Sequence, residues 1–206
     1  MGLYDRYVLP PILDWGCSIP SMMREREKTL AHAEGVVLEV GAGSGLNLKY
    51  YPRTAVTHIH ALDPAVEMLN RYRKSAQTSS IPLTFHEAGA ENIPLDANSI
   101  DTLVLTFALC TIPSPLLALQ EMRRVLKSKG RLLFCEHGLS KKPTVQQWQH
   151  RLDGPWGYLV GGCHLNRDIP GLLHEGGFDI TALESHTLSL LPQFVGTLYR
   201  GMAIAQ

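Results

Sequence analysis

The chain has 206 residues, 45% hydrophobic and 18% charged, with 19 basic side chains against 19 acidic ones. A chain of this length buries roughly 70% or more of the surface its unfolded form exposes, so one domain over 1–206 is expected to fold without disulfides or structural metal. Zero formal net charge removes long-range attraction to phosphate backbones and anionic lipid, which argues against nucleic acid as a partner.

Cys17, Cys110, Cys135 and Cys163 contain no C-x-x-C pair and no zinc-ribbon spacing, so neither a disulfide framework nor a bound metal is expected. No stretch approaches the roughly 20 uninterrupted apolar residues of a membrane span. The start, Met1 to Tyr7, lacks the basic-then-apolar layout of a signal peptide. These features place the chain in the cytoplasm and leave peripheral membrane contact open.

In chain order, Tyr4 to Pro20 reads as an irregular apolar segment and Met22 to Ala33 as a helix that Gly35 can stop. Val36 to Val40 is a short β-branched run, the mark of a strand buried on both faces. Val56 to Leu62 is a second strand, after which Asp63 caps and Pro64 opens a helix carrying Met68, Leu69 and Tyr72. Strands are expected at Leu83 to Glu87 and Thr102 to Phe107. Ser114 and Pro115 then start a helix with Leu119, Met122 and Leu126 on one face, closed near Gly130. Further strands are read at Arg131 to Cys135, Phe178 to Leu183 and Thr197 to Ala205. Regular alternation predicts a doubly wound α/β sheet with its ligand beyond the carboxyl ends of the strands.

At the end of the first strand lies Glu39-Val40-Gly41-Ala42-Gly43-Ser44-Gly45. A dinucleotide fingerprint G-x-G-x-x-G needs glycine at position 46, which is Leu46, so the spacing is G-x-G-x-G. Glu39 in this mouth would repel a pyrophosphate and favour a cationic ligand group, such as the ammonium and sulfonium of S-adenosylmethionine. Asp63 ends the next strand about 20 positions after the first glycine, where an acid accepts from ribose hydroxyls. Glu87-Ala88-Gly89-Ala90-Glu91 follows the third strand and borders the same mouth.

Through these blocks and Arg124 to Gly130 the chain resembles the class I S-adenosylmethionine-dependent methyltransferases over about residues 36 to 136. The resemblance implies a Rossmann-like, mostly parallel seven-stranded sheet with a reversed last strand. It divides the chain into an amino-terminal cap segment and helix (1–35), a cofactor-binding core (36–136) and a substrate segment with the last two strands (137–206). It puts Gly41, Ala42, Gly43 and Gly45 against the methionine moiety, Asp63 and Pro64 at the ribose, and Ala90 with Glu91 beside the adenine. Thr106 to Ala108 would border the methyl-bearing sulfur. Gly89 departs from the pattern, since relatives often place there an Asp that receives the adenine amino group.

His58 and His60 share a strand face, with ordinary packing as the expectation. Cys110 and Cys135 read as buried apolar thiols on neighbouring strands. His137 lies just past the fifth strand, placed either as general base or as a hydrogen-bonded structural residue. After it the chain spends residues on Trp148, Trp156, Gly161-Gly162-Cys163 and Arg167, which read as a lid over an apolar acceptor pocket or as a packed helical hairpin.

This segment, with Phe107 to Cys110 and Glu136-His137, resembles the subgroup that includes the mammalian alkyl-thiol S-methyltransferases. The likeness implies methyl transfer to a small thiol or related chalcogen, with Trp148, Trp156, Cys163 and Arg167 near the acceptor and His137 as the catalytic candidate. Those eukaryotic relatives carry an apolar membrane-anchoring leader, whereas Tyr4 to Pro20 is too short and too interrupted by proline to span. The core pattern is also similar to quinone-biosynthesis C-methyltransferases and phospholipid N-methyltransferases. A nicotinamide oxidoreductase is disfavoured by Leu46 and Glu39, and a non-catalytic adenosyl-binding protein is a third possibility.

Overall fold

The computed structural model describes residues 11, 14, 16–188 and 191–206, so the segment Tyr4 to Pro20 lies largely outside the described residues. The elements run α1 (Pro20–Leu30), β1 (Gly35–Val40), β2 (Val56–Leu62), α2 (Val66–Ser75), β3 (Leu83–His86) and β4 (Ile100–Thr106), with 3-10 turns at Leu48–Tyr50 and Ala76–Thr78. They continue α3 (Pro115–Val125), β5 (Leu126–His137), α4 (Pro143–Leu159), α5 (Ile169–Glu175), β6 (Phe178–Thr187), α6 (Gln193–Gly196) and β7 (Thr197–Ala205). All seven strands form one sheet in the order β3-β2-β1-β4-β5-β7-β6. Strands β1 to β5 are parallel, and β7 runs antiparallel between β5 and β6. Strand order reverses at β1, between β2 and β4, which opens a crevice at the carboxyl ends of these strands.

Period-two alternation explains the double-sided core. Leu38, Leu103, Leu105, Leu132 and Phe134 pack on one face with Leu119, Met122, Ile169 and Leu173 of α3 and α5. Val37, Ile59, Val104 and Leu133 pack on the other with Leu30 of α1. Because both faces are covered, these strands read as continuous apolar runs. Among the described residues no helix is long and apolar enough to cross a membrane.

Several boundaries depart from the sequence expectation. Helix α1 stops at Leu30, and Gly35 opens β1 at φ +66°, where an added Cβ would lie 2.6 Å from Asp101 Oδ2. Pro64 precedes α2, whose cap is Ala65. Helix α3 ends at Val125 instead of near Gly130, because Leu126 is already extended (φ −73°, ψ 133°) and pairs with Ile100. Gly130 is required by space: a Cβ there would lie 2.5 Å from Leu126 Cδ1. Ser114 makes no side-chain cap; its N–H donates to Glu91 Oε1 at 3.1 Å.

Candidate active site

The turn after β1 holds Gly41, Gly43 and Gly45 at φ +67°, +57° and +83°. This left-handed region costs an ordinary residue roughly 1–2 kcal/mol. Two of the positions also lack room. A Cβ on Gly41 would lie 2.4 Å from Ala108 Cβ, and one on Gly45 would lie 2.3 Å from the Tyr72 ring. The first close approach joins the turn to the chain leaving β4; the second joins it to α2.

Asp63, at the end of β2, is 9% exposed. Its Oδ2 accepts from Gly43 N at 2.9 Å and its Oδ1 from Ala65 N at 2.8 Å, so one carboxylate ties the glycine turn to the start of α2. Burial raises its pKa, and the Ala65 and Gly43 N–H groups oppose the rise. Each oxygen keeps a lone pair for a ligand hydroxyl.

Glu39 is turned inward, which corrects the expectation of a carboxylate pointing into the mouth. Its Oε1 accepts from Asn47 Nδ2 at 2.7 Å and its Oε2 from the Tyr72 hydroxyl at 3.0 Å. Burial pushes its pKa up to about 7 against the bonds from Tyr72 and Asn47. Asn47 Nδ2 also reaches Thr106 Oγ1 at 2.9 Å. Arg26 Nη1 donates to Asn47 Oδ1 and Thr106 Oγ1, both at 2.9 Å. Thr106 therefore belongs to a buried network, which α1 joins through Arg26. Sequence reasoning did not single out Arg26, Asn47 or the Tyr72 hydroxyl; a buried acid in need of partners was the available signal.

In the turn after β3, Ala90 is 6% exposed and packs in the core, while Glu91 meets the start of α3 through Ser114 N. Glu121 accepts from Ile93 N at 3.0 Å, and Arg124 donates to Ile93 O and Leu95 O at 2.8 Å each. This clamp accounts for the Arg124 block on which part of the family likeness rests.

Beyond β4, Phe107 takes φ +55° and lies under the Arg26 guanidinium, 4.8 Å from ring centroid to Cζ. Ala108 N donates to Glu136 Oε1 at 2.8 Å. Glu136 is fully buried, and burial, with the neighbouring Cys110 charge, raises its pKa to about 8. His137 Nε2 lies 2.8 Å from Cys163 Sγ, and Cys163 Sγ lies 3.6 Å from Cys110 Sγ. The Cys163 contact lowers the Cys110 pKa against burial. Cys110 thus meets Cys163, not Cys135 as its strand neighbours suggested; Cys135 packs with Leu188 and Leu198.

Arg167 is half-buried and donates through Nη1 to Leu109 O. The segment after β5 is mostly helix, not a loose lid. Gln149 of α4 is fully buried, with Oε1 accepting from Ser140 N at 2.8 Å and Nε2 donating to Gly138 O at 3.0 Å and Phe194 O at 3.1 Å. Trp156 is half-buried, edge-on to Phe194. Trp148 is 56% exposed with Arg151 over its ring, on the outer face of α4. The structure therefore groups Cys163, Trp156 and Arg167 on the inner side of this segment and sets Trp148 apart. His58, His60 and His86 stack across β2 and β3, and burial lowers the His60 pKa to about 4.

Two surface clefts flank the fold: one of about 640 Å³ takes in Ser44 and Gly45 of the glycine turn with Arg71 and Ser75, and one of about 760 Å³ beside Asp101 and Lys127 lies at the amino end of the sheet. The chemistry is concentrated instead where β1, β2, β4 and β5 end. A turn with glycine at 41, 43 and 45, an acid bonded to Gly43 N at the end of β2 and a small Ala90 fit an adenosyl ligand, and the inward, hydrogen-bonded Glu39 leaves Asp63 as the carboxylate beside the turn.

A methyltransferase domain family model matches residues 38–134. Human thiol S-methyltransferase TMT1B is 30% identical over 188 residues, covering 86% of this chain and 74% of that protein. The chain spans 62% to 74% of the length of the four mammalian TMT1A and TMT1B proteins it matches. The ubiquinone/menaquinone biosynthesis C-methyltransferase UbiE of Rhizobium meliloti is 29% identical over 173 residues, 73% of this chain and 67% of that one. In fold, a possible histamine N-methyltransferase from Thermotoga maritima superposes with a TM-score of 0.69 at 16% identity, over 98% of this chain and 97% of that one.

Proposed function

The chain belongs to the class I S-adenosylmethionine-dependent methyltransferase family that holds the thiol S-methyltransferases, and from that premise we propose that it methylates the sulfur of a small, fairly apolar thiol. The observation that carries this is the close approach to Gly41 of Ala108, which stands two residues before Cys110 of the buried group Cys110, His137 and Cys163. The thiol preference is supported by the relatives' names and by the sulfur and imidazole groups of Cys110, Cys163 and His137 on the proposed acceptor side.

S-adenosylmethionine supplies an activated methyl on a sulfonium and leaves as S-adenosylhomocysteine. In this reading Asp63 accepts from the ribose hydroxyls, with Pro64 setting the chain into α2. Gly41, Ala42, Gly43 and Gly45 border the methionine moiety through backbone alone. Ala90 and Glu91 flank the adenine, Glu91 by holding the start of α3. Glu39 serves the turn from behind by fixing Asn47, and through it Thr106. Residues 137–206 carry the acceptor, with Trp156, Cys163 and Arg167 around it and Trp148 outside it on α4. The thiol loses its proton beside His137; since a few per cent of an alkyl thiol is ionised at neutral pH, holding that thiolate in line in a dry site is most of the task. We place the reaction in the cytoplasm, where four unpaired cysteines persist as thiols. It needs no nucleic-acid partner.

The test is S-adenosylhomocysteine formation with hydrosulfide and short alkyl thiols against matched quinol, amine and lipid acceptors. Thiol-dependent turnover is expected. Turnover confined to quinol or lipid acceptors would replace the thiol assignment with the carbon or nitrogen one, and a melting shift with S-adenosylhomocysteine but no turnover would make the chain a binding protein. At 100 times its dissociation constant, that product should stabilise the fold by about 2.7 kcal/mol.

A further inference from the structure

Cys110, His137 and Cys163 form a tight group of soft ligands, and methyl transfer by itself does not require two thiols beside an imidazole. Their ligand atoms all lie within 4.8 Å of one another and all three side chains are buried. They come from three separate places: two residues past Ala108, the last residue of β5, and the turn after α4. A backbone bond from His164 N to Cys110 O at 2.9 Å clamps two of these segments together, so the thiols are held by main chain.

A tetrahedral ion with metal–sulfur bonds of about 2.3 Å and a metal–nitrogen bond of about 2.0–2.1 Å requires roughly 3.8 Å between sulfurs and roughly 3.6 Å from sulfur to nitrogen. The sulfurs stand 3.6 Å apart, close to that edge. The imidazole Nε2, 2.8 Å from Cys163 Sγ, has to withdraw by less than about 1 Å. Its other nitrogen, Nδ1, is buried with no hydrogen-bond partner among the described residues, so no bond on that side resists the movement. Two thiols and one imidazole select a soft or borderline ion, and a three-ligand set leaves the fourth tetrahedral position open.

We propose that Cys110, His137 and Cys163 bind one zinc-type divalent ion whose open position receives the acceptor sulfur. The identity of that fourth ligand rests on the thiol reading above; the ion site does not. On binding, the acceptor thiol gives its proton to solvent and coordinates as thiolate, because a metal lowers a thiol pKa. A lone pair on that sulfur forms the new sulfur–methyl bond while the methyl–sulfonium bond breaks, and its electron pair stays on the S-adenosylhomocysteine sulfur. The neutral thioether product is a weaker ligand than the thiolate and departs. His137 then acts as a ligand in place of a base.

The test uses the whole chain, purified with a non-thiol reductant, stripped with a chelator and titrated with Zn²⁺ or Co²⁺. The expected result is about one ion per chain, with the intense visible bands of tetrahedral thiolate-bound cobalt. Those bands should shift when a short alkyl thiol is added and stay fixed with the matching alcohol. Cys163→Ser and Cys110→Ser should each weaken binding by at least about tenfold. Wild-type protein that binds less than a tenth of an equivalent, or carries a Cys110–Cys163 disulfide in place of the ion, overturns the site. If it does so while S-adenosylhomocysteine still raises the melting temperature and thiols are still methylated, the methyltransferase reading stands alone. Bound cobalt whose bands ignore the thiol overturns the acceptor's seat on the ion.

Discussion

At the ends of β1 and β2 the site is held by main chain. Gly41, Gly43 and Gly45 shape the turn, and Asp63 fastens it through two N–H groups. At the ends of β4 and β5 it is held by side chains from distant segments: Glu136 on Ala108 N, Gln149 on three backbone groups, Cys163 against Cys110 and His137. The difference teaches that the half at β1 and β2, which we propose for the cofactor, is a property of short contiguous motifs, whereas the half at β4 and β5, proposed for the acceptor, exists only once α4 has docked. A backbone-built half suits a ligand shared across a family; a side-chain-built half can be changed one residue at a time to suit an acceptor.

The largest expected effect lies on the acceptor side. Gln149→Ala strands two buried backbone partners and one part-buried one and should cost about 2–4 kcal/mol of stability by denaturant unfolding, with the S-adenosylhomocysteine affinity of the folded protein little changed. Equal loss of cofactor affinity would erase the distinction between the halves. Asp63→Ala should do the reverse, weakening S-adenosylhomocysteine binding by about 1.5–3 kcal/mol in calorimetry. Unchanged affinity would remove Asp63 from the ribose.

A smaller effect separates Glu39 from the ligand. Its folded pKa of about 7 is raised above the usual 4.5, so its contribution to stability is full below the unfolded value and lost as pH rises through 7. Between pH 5 and 8 the ligand-free wild type should therefore lose stability relative to Glu39→Gln, with a slope approaching about 1.4 kcal/mol per pH unit at most. Parallel pH curves for the two proteins would show that Glu39 is not buried as described. The smallest effect belongs to Trp148→Ala, which should stay within about 0.5 kcal/mol in stability and leave cofactor binding intact, since the ring is outside on α4. A large loss of thiol turnover in that variant would restore Trp148 to the acceptor site.

Five parallel strands and the glycine turn were legible because each is a local pattern. Val36 to Val40 is apolar on both faces, and the glycine spacing at 41, 43 and 45 encodes left-handed backbone that few other residues take. The end of α3 was not legible, because Leu126 fits the helix face of Leu119 and Met122 and was claimed instead by pairing with Ile100. Glu39 was legible as an acid at the turn but not in its direction, which Asn47 and Tyr72 decide.

By itself, the sequence determined the alternating α/β sheet, the glycine turn and Asp63 at the end of β2, because main-chain geometry and short-range apolar periodicity suffice for them. Only the tertiary structure decided which side chains gather at the ends of β4 and β5. Cys163 is 53 residues from Cys110 and 26 from His137, and no spacing rule relates them. Their meeting depends on β5 pairing beside β4 and on the His164–Cys110 main-chain bond, both products of the folded sheet.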